Sequence, residues 1–270
     1  MAEADMTSDT LSLFRLDGHN AFVSGAAGHL GRAMCTALAE AGAHVILNGR
    51  NAERLKDFAG ELSQLGHSVE CAAFDMGDFE AVRAFFSTRE RLDILVANAI
   101  SMTPSPFDAL TPAVFEQTYR TGVVAAFEAV RAARPALRAA VAAAGDASVV
   151  TISSMYGLVA PDKRIYAHPE QASPLHYGPA KAALLQLTRH LAAELGPEHI
   201  RVNALVPGPF PRPEVRAADP DFAARLAGRT MLGRTGEVDE IRGPLLFLAS
   251  AAAKFMTGAF LTVDGGWTVW

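Results

Sequence analysis

Short, solidly apolar runs alternate along the chain with stretches of helical periodicity. Ala21-Phe22-Val23, His44–Leu47, Val69–Phe74, Ile94–Ala97, Ser148–Ile152, Ile200–Val206 and Phe260–Val263 have strand length, and most are closed by Asn, Asp or Pro. Between them apolar positions recur at helical spacing. They do so up to Leu38 and Ala39 after the first run, then over Ala52–Leu65, Phe79–Phe86, Phe115–Ala133, Pro179–Leu195 and Glu237–Ala249. Strands apolar on both sides, in strict alternation with helices, predict an α/β fold: a doubly wound parallel sheet with helices on both faces. No linker, repeat or change of composition interrupts the pattern, so residues 16–270 read as a single domain and 1–15 as a disordered tail.

Composition narrows the function more than the fold. At 270 residues, half apolar and a fifth charged, the chain can bury a core on both faces of a sheet. A net charge of -5 gives nucleic acid or an anionic membrane nothing to grip. Met1–Thr10 lacks the basic and apolar regions of a signal peptide, and no apolar run has transmembrane length. The alanine-rich piece 129–144 carries Arg131, Arg134 and Arg138 and reads as helix. A cytoplasmic protein is the expectation. Cys35 and Cys71 read as core thiols, and no metal site is expected. Only His176, beside Tyr177, stands near candidate chemistry, and its plain reading is a surface or loop residue.

Tyr177-Gly178-Pro179-Ala180-Lys181 opens an apolar-periodic segment. Pro179 fits a helix only in its first turn, so the helix starts just before it. Tyr177 and Lys181 then share a face, and an ammonium beside a phenol is expected to pull the phenol pKa down from about 10 toward neutrality. Gly25-Ala26-Ala27-Gly28-His29-Leu30-Gly31 lies between the first strand and first helix, where glycines let a backbone approach a pyrophosphate over a helix N-terminus. The second strand ends at Gly49-Arg50 without an acid, which suits a 2′-phosphate and therefore NADP better than NAD. Asp75, followed by Met76, could meet an adenine amino group, or could cap a helix as Asp78 could.

These residues, with Asn98-Ala99, Ile152-Ser153-Ser154, Arg201-Val202-Asn203, Pro207-Gly208, Thr257-Gly258 and Val263-Asp264-Gly265-Gly266, resemble the short-chain dehydrogenase/reductase family in its single-domain branch. The similarity runs from about Leu16 to Trp267. It implies a Rossmann-like fold and an oxidoreductase passing hydride between NADP(H) and a secondary alcohol or ketone. Within it, Ser154 would hydrogen-bond the substrate oxygen, Tyr177 would act as general acid/base, and Lys181 would hold the nicotinamide ribose and tune the phenol. Gly25, Gly28, His29, Leu30 and Gly31 would line the pyrophosphate. Arg50, Asp75, Met76, Asn98 and Ala99 would surround the adenosine, and Pro207, Gly208 and Phe210 the nicotinamide. Members resembling gluconate 5-dehydrogenase and sugar-modifying reductases point to a polar sugar or sugar-acid substrate. The alternatives are a 3-oxoacyl thioester reductase and a non-catalytic dinucleotide-binding sensor or structural partner.

The departures are specific. The loop's middle glycine, Gly28, comes one place early, and His29 beside it either adds positive charge at the phosphates or points to solvent. Tyr119 stands where the family carries an asparagine in its proton relay; its hydroxyl either serves that relay or is packed in the core. Twenty-two residues separate Ser154 from Tyr177, more than is usual. That insert makes Asp162, Lys163, Arg164 and His168 candidates for reading substrate, or solvated loop tips. Tyr166, within it, is followed four residues later by Glu170 instead of lysine and is set aside as the acid/base. Residues 209–230 are expected to form a lid that orders on binding. Trp267 and Trp270 suit either an interface of a homo-oligomer, tetramer or dimer, or burial in their own subunit.

Overall fold

The computed structural model describes residues 9–167 and 172–270. Within them β1 (Asn20–Ser24), β2 (His44–Gly49), β3 (Val69–Ala73), β4 (Ile94–Ala97), β5 (Ala147–Ile152), β6 (Ile200–Pro207) and β7 (Phe260–Val263) form one sheet ordered β3-β2-β1-β4-β5-β6-β7. Every neighbouring pair is parallel. The helices are α1 (His29–Glu40), α2 (Ala52–Gln64), α3 (Phe79–Ser87), α4 (Pro112–Tyr119), α5 (Ala125–Ala144), α6 (Tyr177–Leu195), α7 (Pro213–Ala218), α8 (Pro220–Ala227) and α9 (Arg242–Ala249).

Side-chain alternation along the strands divides the interior in two. Phe22 and Leu95 enter one core with Val82 and Phe86 of α3, Leu137 of α5 and Leu184 of α6. Their neighbours Val23 and Val96 enter the other with Leu38 of α1, Leu55 and Phe58 of α2 and Leu245 of α9. The two-sided apolar strands are thereby accounted for, and helices cover both faces. No helix among the described residues is long and apolar enough to cross a membrane.

Several local expectations change. The helix expected over 115–133 is interrupted: α4 passes into a π-turn, Arg120–Val124, before α5 begins, and Ala125 N–H donates to Arg120 O. Gly122 sits in that turn because a Cβ there would come within 2.8 Å of the Ile100 side chain. The segment expected as a lid holds α7 and α8, each opened by a proline. At six and eight residues they are too short to leave a readable period. Within the expected tail, Thr10–Phe14 form a 3-10 turn capped by Asp9, while residues 1–8 lie outside the described residues. Cys35 is a core thiol, but Cys71 is exposed, because β3 is the sheet's edge strand and turns that residue outward.

Candidate active site

The strand order reverses between β1 and β4, and a cleft of about 580 Å³ opens where the strands end. Gly25, Gly28, His29, Leu30, Gly31, Arg50, Asp75, Met76, Asn98, Ala99, Ser154, Tyr177, Lys181, Pro207, Gly208 and Phe210 all line it, whereas Tyr119, Asp162, Lys163 and Arg164 do not. At its middle, Gly25 takes φ +68°, and a Cβ on Gly31 would fall 2.1 Å from the Gly25 carbonyl oxygen. The turn is thus as tight as its composition implies. Two side chains pin it from below. Ser24 Oγ accepts from the backbone N–H groups of Asn98 and Ala99 at 2.9 and 3.0 Å. The Asn98 amide donates back to Ser24 O at 2.9 Å. Asn98 therefore holds the glycine turn, and Ser24, which the sequence reading missed, is its counterpart.

His29 does neither of the things expected of it. Its Nε2 lies 3.1 Å from Phe210 O, so the ring bridges the glycine turn to the segment after β6. Partial burial and then the nearby Arg212 push its pKa down, keeping it uncharged at neutral pH. The Phe210 ring is seated over Gly236, where a Cβ would come within 2.4 Å of it.

At the adenosine end, Asp78 caps α3, accepting from the backbone of Glu80 and Ala81, which releases Asp75 from that duty. Asp75 faces the cleft with one oxygen on Gly77 N–H and the other 3.9 Å from Arg50. Arg50 is largely exposed. Arg54 was not anticipated; on the first turn of α2, it reaches back to donate to Ala27 O in the glycine turn at 3.1 Å.

At the opposite end, β5 delivers Ser154 and α6 delivers Tyr177 and Lys181. Lys181 is 3% exposed; its ammonium donates to Ile152 O at 2.6 Å and stands 5.7 Å from the Tyr177 ring centre. Burial pushes this lysine down to about 8. The expected lowering of the Tyr177 pKa does not appear. Burial raises it, opposed only by hydrogen bonding with Ser154, because Lys181 directs its protons to a carbonyl. Tyr119 stacks on Phe115 at 5.4 Å and is not among the residues lining the cleft, so its ring serves packing. His176, read as a surface or loop residue, stands in the turn before α6 but is fully buried. Ser101 and Met102, also overlooked, line the same cleft as Ser154 and Tyr177.

The insert after Ser154 folds beside the cleft. Asp162 caps the 3-10 turn Lys163–Ile165 and pairs with Arg164, and Arg229 lies 3.7 Å away. These charges satisfy one another and do not line the cleft. His168 and Glu170 lie outside the described residues. Tyr166 donates to or accepts from Tyr156 at 2.9 Å, and Trp267, 2% exposed, packs edge-on to Tyr156 within the same chain. Trp270 stays largely exposed while donating to Arg229 O.

Comparison with known proteins agrees with this geometry. A family model described as enoyl-(acyl carrier protein) reductase matches residues 25–268. A galactitol 2-dehydrogenase (L-tagatose-forming) of Cereibacter sphaeroides is 37% identical over 97% of this chain and all of its own length. The rhamnolipids biosynthesis 3-oxoacyl-[acyl-carrier-protein] reductase of Pseudomonas aeruginosa is 34% identical over 94% of this chain and 97% of its own. A crystal structure of a gluconate 5-dehydrogenase from Burkholderia cenocepacia, in complex with NADP and tartrate, superposes with a TM-score of 0.84 at 32% identity, covering 97% of this chain and all of that one.

Proposed function

This chain belongs to the short-chain dehydrogenase/reductase family, and on that premise we propose an NADP(H)-dependent oxidoreductase that interconverts a secondary alcohol and its ketone through Ser154, Tyr177 and Lys181. One observation carries the reading. A serine hydroxyl, a phenol and a buried ammonium meet in the same cleft as a glycine turn open to phosphates and an acid-free strand end flanked by Arg50. The tight turn, which a Cβ at Gly25 or Gly31 would force apart, fits a dinucleotide pyrophosphate over the N-terminus of α1. The nicotinamide, when bound, supplies or accepts the hydride.

The chain's own groups handle the proton. In reduction, Ser154 hydrogen-bonds the substrate oxygen while Tyr177 donates its phenol proton to it; in oxidation Tyr177 takes that proton from the alcohol. Burial keeps Tyr177 protonated at neutral pH, which suits the donor role. Lys181, near 8, is still charged there and stabilises the phenolate left after donation. Gly49 offers no carboxylate to a ribose 2′-hydroxyl, and the guanidiniums of Arg50 and Arg54 suit a 2′-phosphate.

The substrate reading is a polar ketone of sugar or sugar-acid type, supported by the sugar dehydrogenase relatives and by Ser101, Ser154 and Arg212 along the cleft. Reduction of a 3-oxoacyl thioester is the second reading, favoured by the Pseudomonas aeruginosa relative. Steady-state assays with NADPH and NADH over keto sugars, keto sugar acids and 3-oxoacyl thioesters test both. The expectation is a kcat/KM at least about tenfold higher with NADPH and highest on the sugar-type ketones. A preference for NADH sinks the cofactor assignment, and a preference for thioesters sinks the substrate. The same proposal takes residues 209–230 as the lid over the nicotinamide, the chain as a homo-oligomer and its location as cytoplasmic.

A further inference from the structure

His176 is the buried titratable group that this chemistry leaves unused. It is fully buried, immediately precedes Tyr177 and stands at the N-cap of α6, yet its ring makes no capping bond. Both nitrogens are engaged elsewhere. Nε2 lies 3.0 Å from Thr103 O, and Nδ1 lies 2.9 Å from Thr118 Oγ1. A carbonyl can only accept, so Nε2 carries the hydrogen. Thr118 Oγ1 also lies 3.3 Å from Ser101 O and 3.2 Å from Val114 O, so this hydroxyl meets His176, the segment after β4 and its own helix at one point. Phe115 presses edge-on at 6.4 Å and fixes the ring plane.

The partners lie on two segments, α4 and the stretch after β4. Thr118 is 1% exposed and belongs to the last turn of α4, just before the π-turn. Thr103 follows Ser101 and Met102, which form cleft wall together with Ser154 and Tyr177. The other side of that wall is fixed by Thr121 Oγ1, which accepts from Ser101 N–H at 3.0 Å. The imidazole is therefore a rigid brace joining the wall, α4 and the first residue of α6. Tyr177 is covalently next to the brace and its main chain is set by it.

We propose that His176, with Thr118, is a positioning residue that sets the distance between the Tyr177 phenol and the substrate wall Ser101–Thr103. The proposal rests on Tyr177 being the proton donor. A displacement of about 1 Å at a reacting group costs up to about a hundredfold in rate, so a brace one residue away has leverage on kcat. The cofactor contacts at the glycine turn and Arg50 lie elsewhere and are untouched by it.

The test uses Thr118→Val, which removes one hydroxyl at constant shape, Thr118→Ser, which restores it, and His176→Leu, with Tyr177→Phe as control. Thr118→Val and His176→Leu should lower kcat by about ten- to a hundredfold, leave the NADPH Kd from fluorescence titration within about twofold, and enlarge the solvent deuterium isotope effect on kcat. Thr118→Ser should recover kcat to within about threefold. The double variant should lose less than the product of the two single losses, because the His176–Thr118 contact is common to both changes. An unchanged kcat in folded Thr118→Val, or an NADPH affinity that falls in step with kcat, overturns the proposal. If His176→Leu does not fold, the Thr118 pair decides. Full activity in Tyr177→Phe would overturn the proton-donor reading itself, whereas an inactive Tyr177→Phe beside unaffected Thr118 and His176 variants overturns only the brace.

Discussion

Lys181 is an ammonium buried to 3% exposure with a single carbonyl as its hydrogen-bonding partner. Its depressed pKa of about 8 is the mark of a charge held against its solvation preference. Between about 8 and its ordinary value of 10.5 the unfolded chain binds the proton that the folded chain has shed, so stability rises with pH across that window. Below about 8 both states are protonated and the whole cost is present, on the order of 3 kcal/mol. Lys181→Met should therefore raise the melting temperature at pH 7 while removing turnover, and the gain should shrink as pH rises from about 8 to 10.5. A variant less stable than the parent at pH 7 would mean that the lysine is a net structural asset. His29, by contrast, is neutral through burial, and its place in the fold is a bond from the glycine turn to Phe210.

Among the elements, the insert after Ser154 and α8 act as one piece. Arg225 on α8 donates to Ile165 O at 2.6 Å, and Phe222 lies 5.4 Å from the Tyr166 ring. Tyr166 in turn meets Tyr156, two residues from Ser154. Arg225→Ala cuts the polar tie and leaves the aromatic one. It should raise the substrate KM several-fold with little change in NADPH Kd; an unchanged KM would separate α8 from the substrate side. The strands and long helices were legible because each is long enough to repeat its period, and their caps, Asn51 and Asp78, stand where the sequence pattern stops. The π-turn was not legible, since one added residue per turn leaves the apolar pattern of α4 and α5 nearly unchanged. Helices α7 and α8 were too brief to read.

For the whole molecule, the C-terminus closes the structure. Trp267 packs inside its own subunit between Tyr156 and Arg229, so it is unavailable to another copy. Trp270, Phe255, Phe127 and Val124 remain exposed, apolar area of the kind the proposed homo-oligomer would cover. Light scattering should return a mass two or four times 28.6 kDa; a monomer at micromolar concentration would reject the assembly. The sequence by itself determined the sheet, the helices on both its faces and much of the cleft's lining, though not Ser101 or Met102. Apolar period, strand-end residues and the spacing of Tyr177 and Lys181 are local properties that chain order carries. Only the tertiary structure decided what depends on neighbours remote in sequence. Lys181 turns to Ile152 rather than to the phenol, Tyr119 faces Phe115 rather than the cleft, and His176 is a buried brace. Burial and hydrogen-bond partners set protonation and orientation, and both are fixed by segments up to 73 residues away along the chain, such as Thr103 from His176.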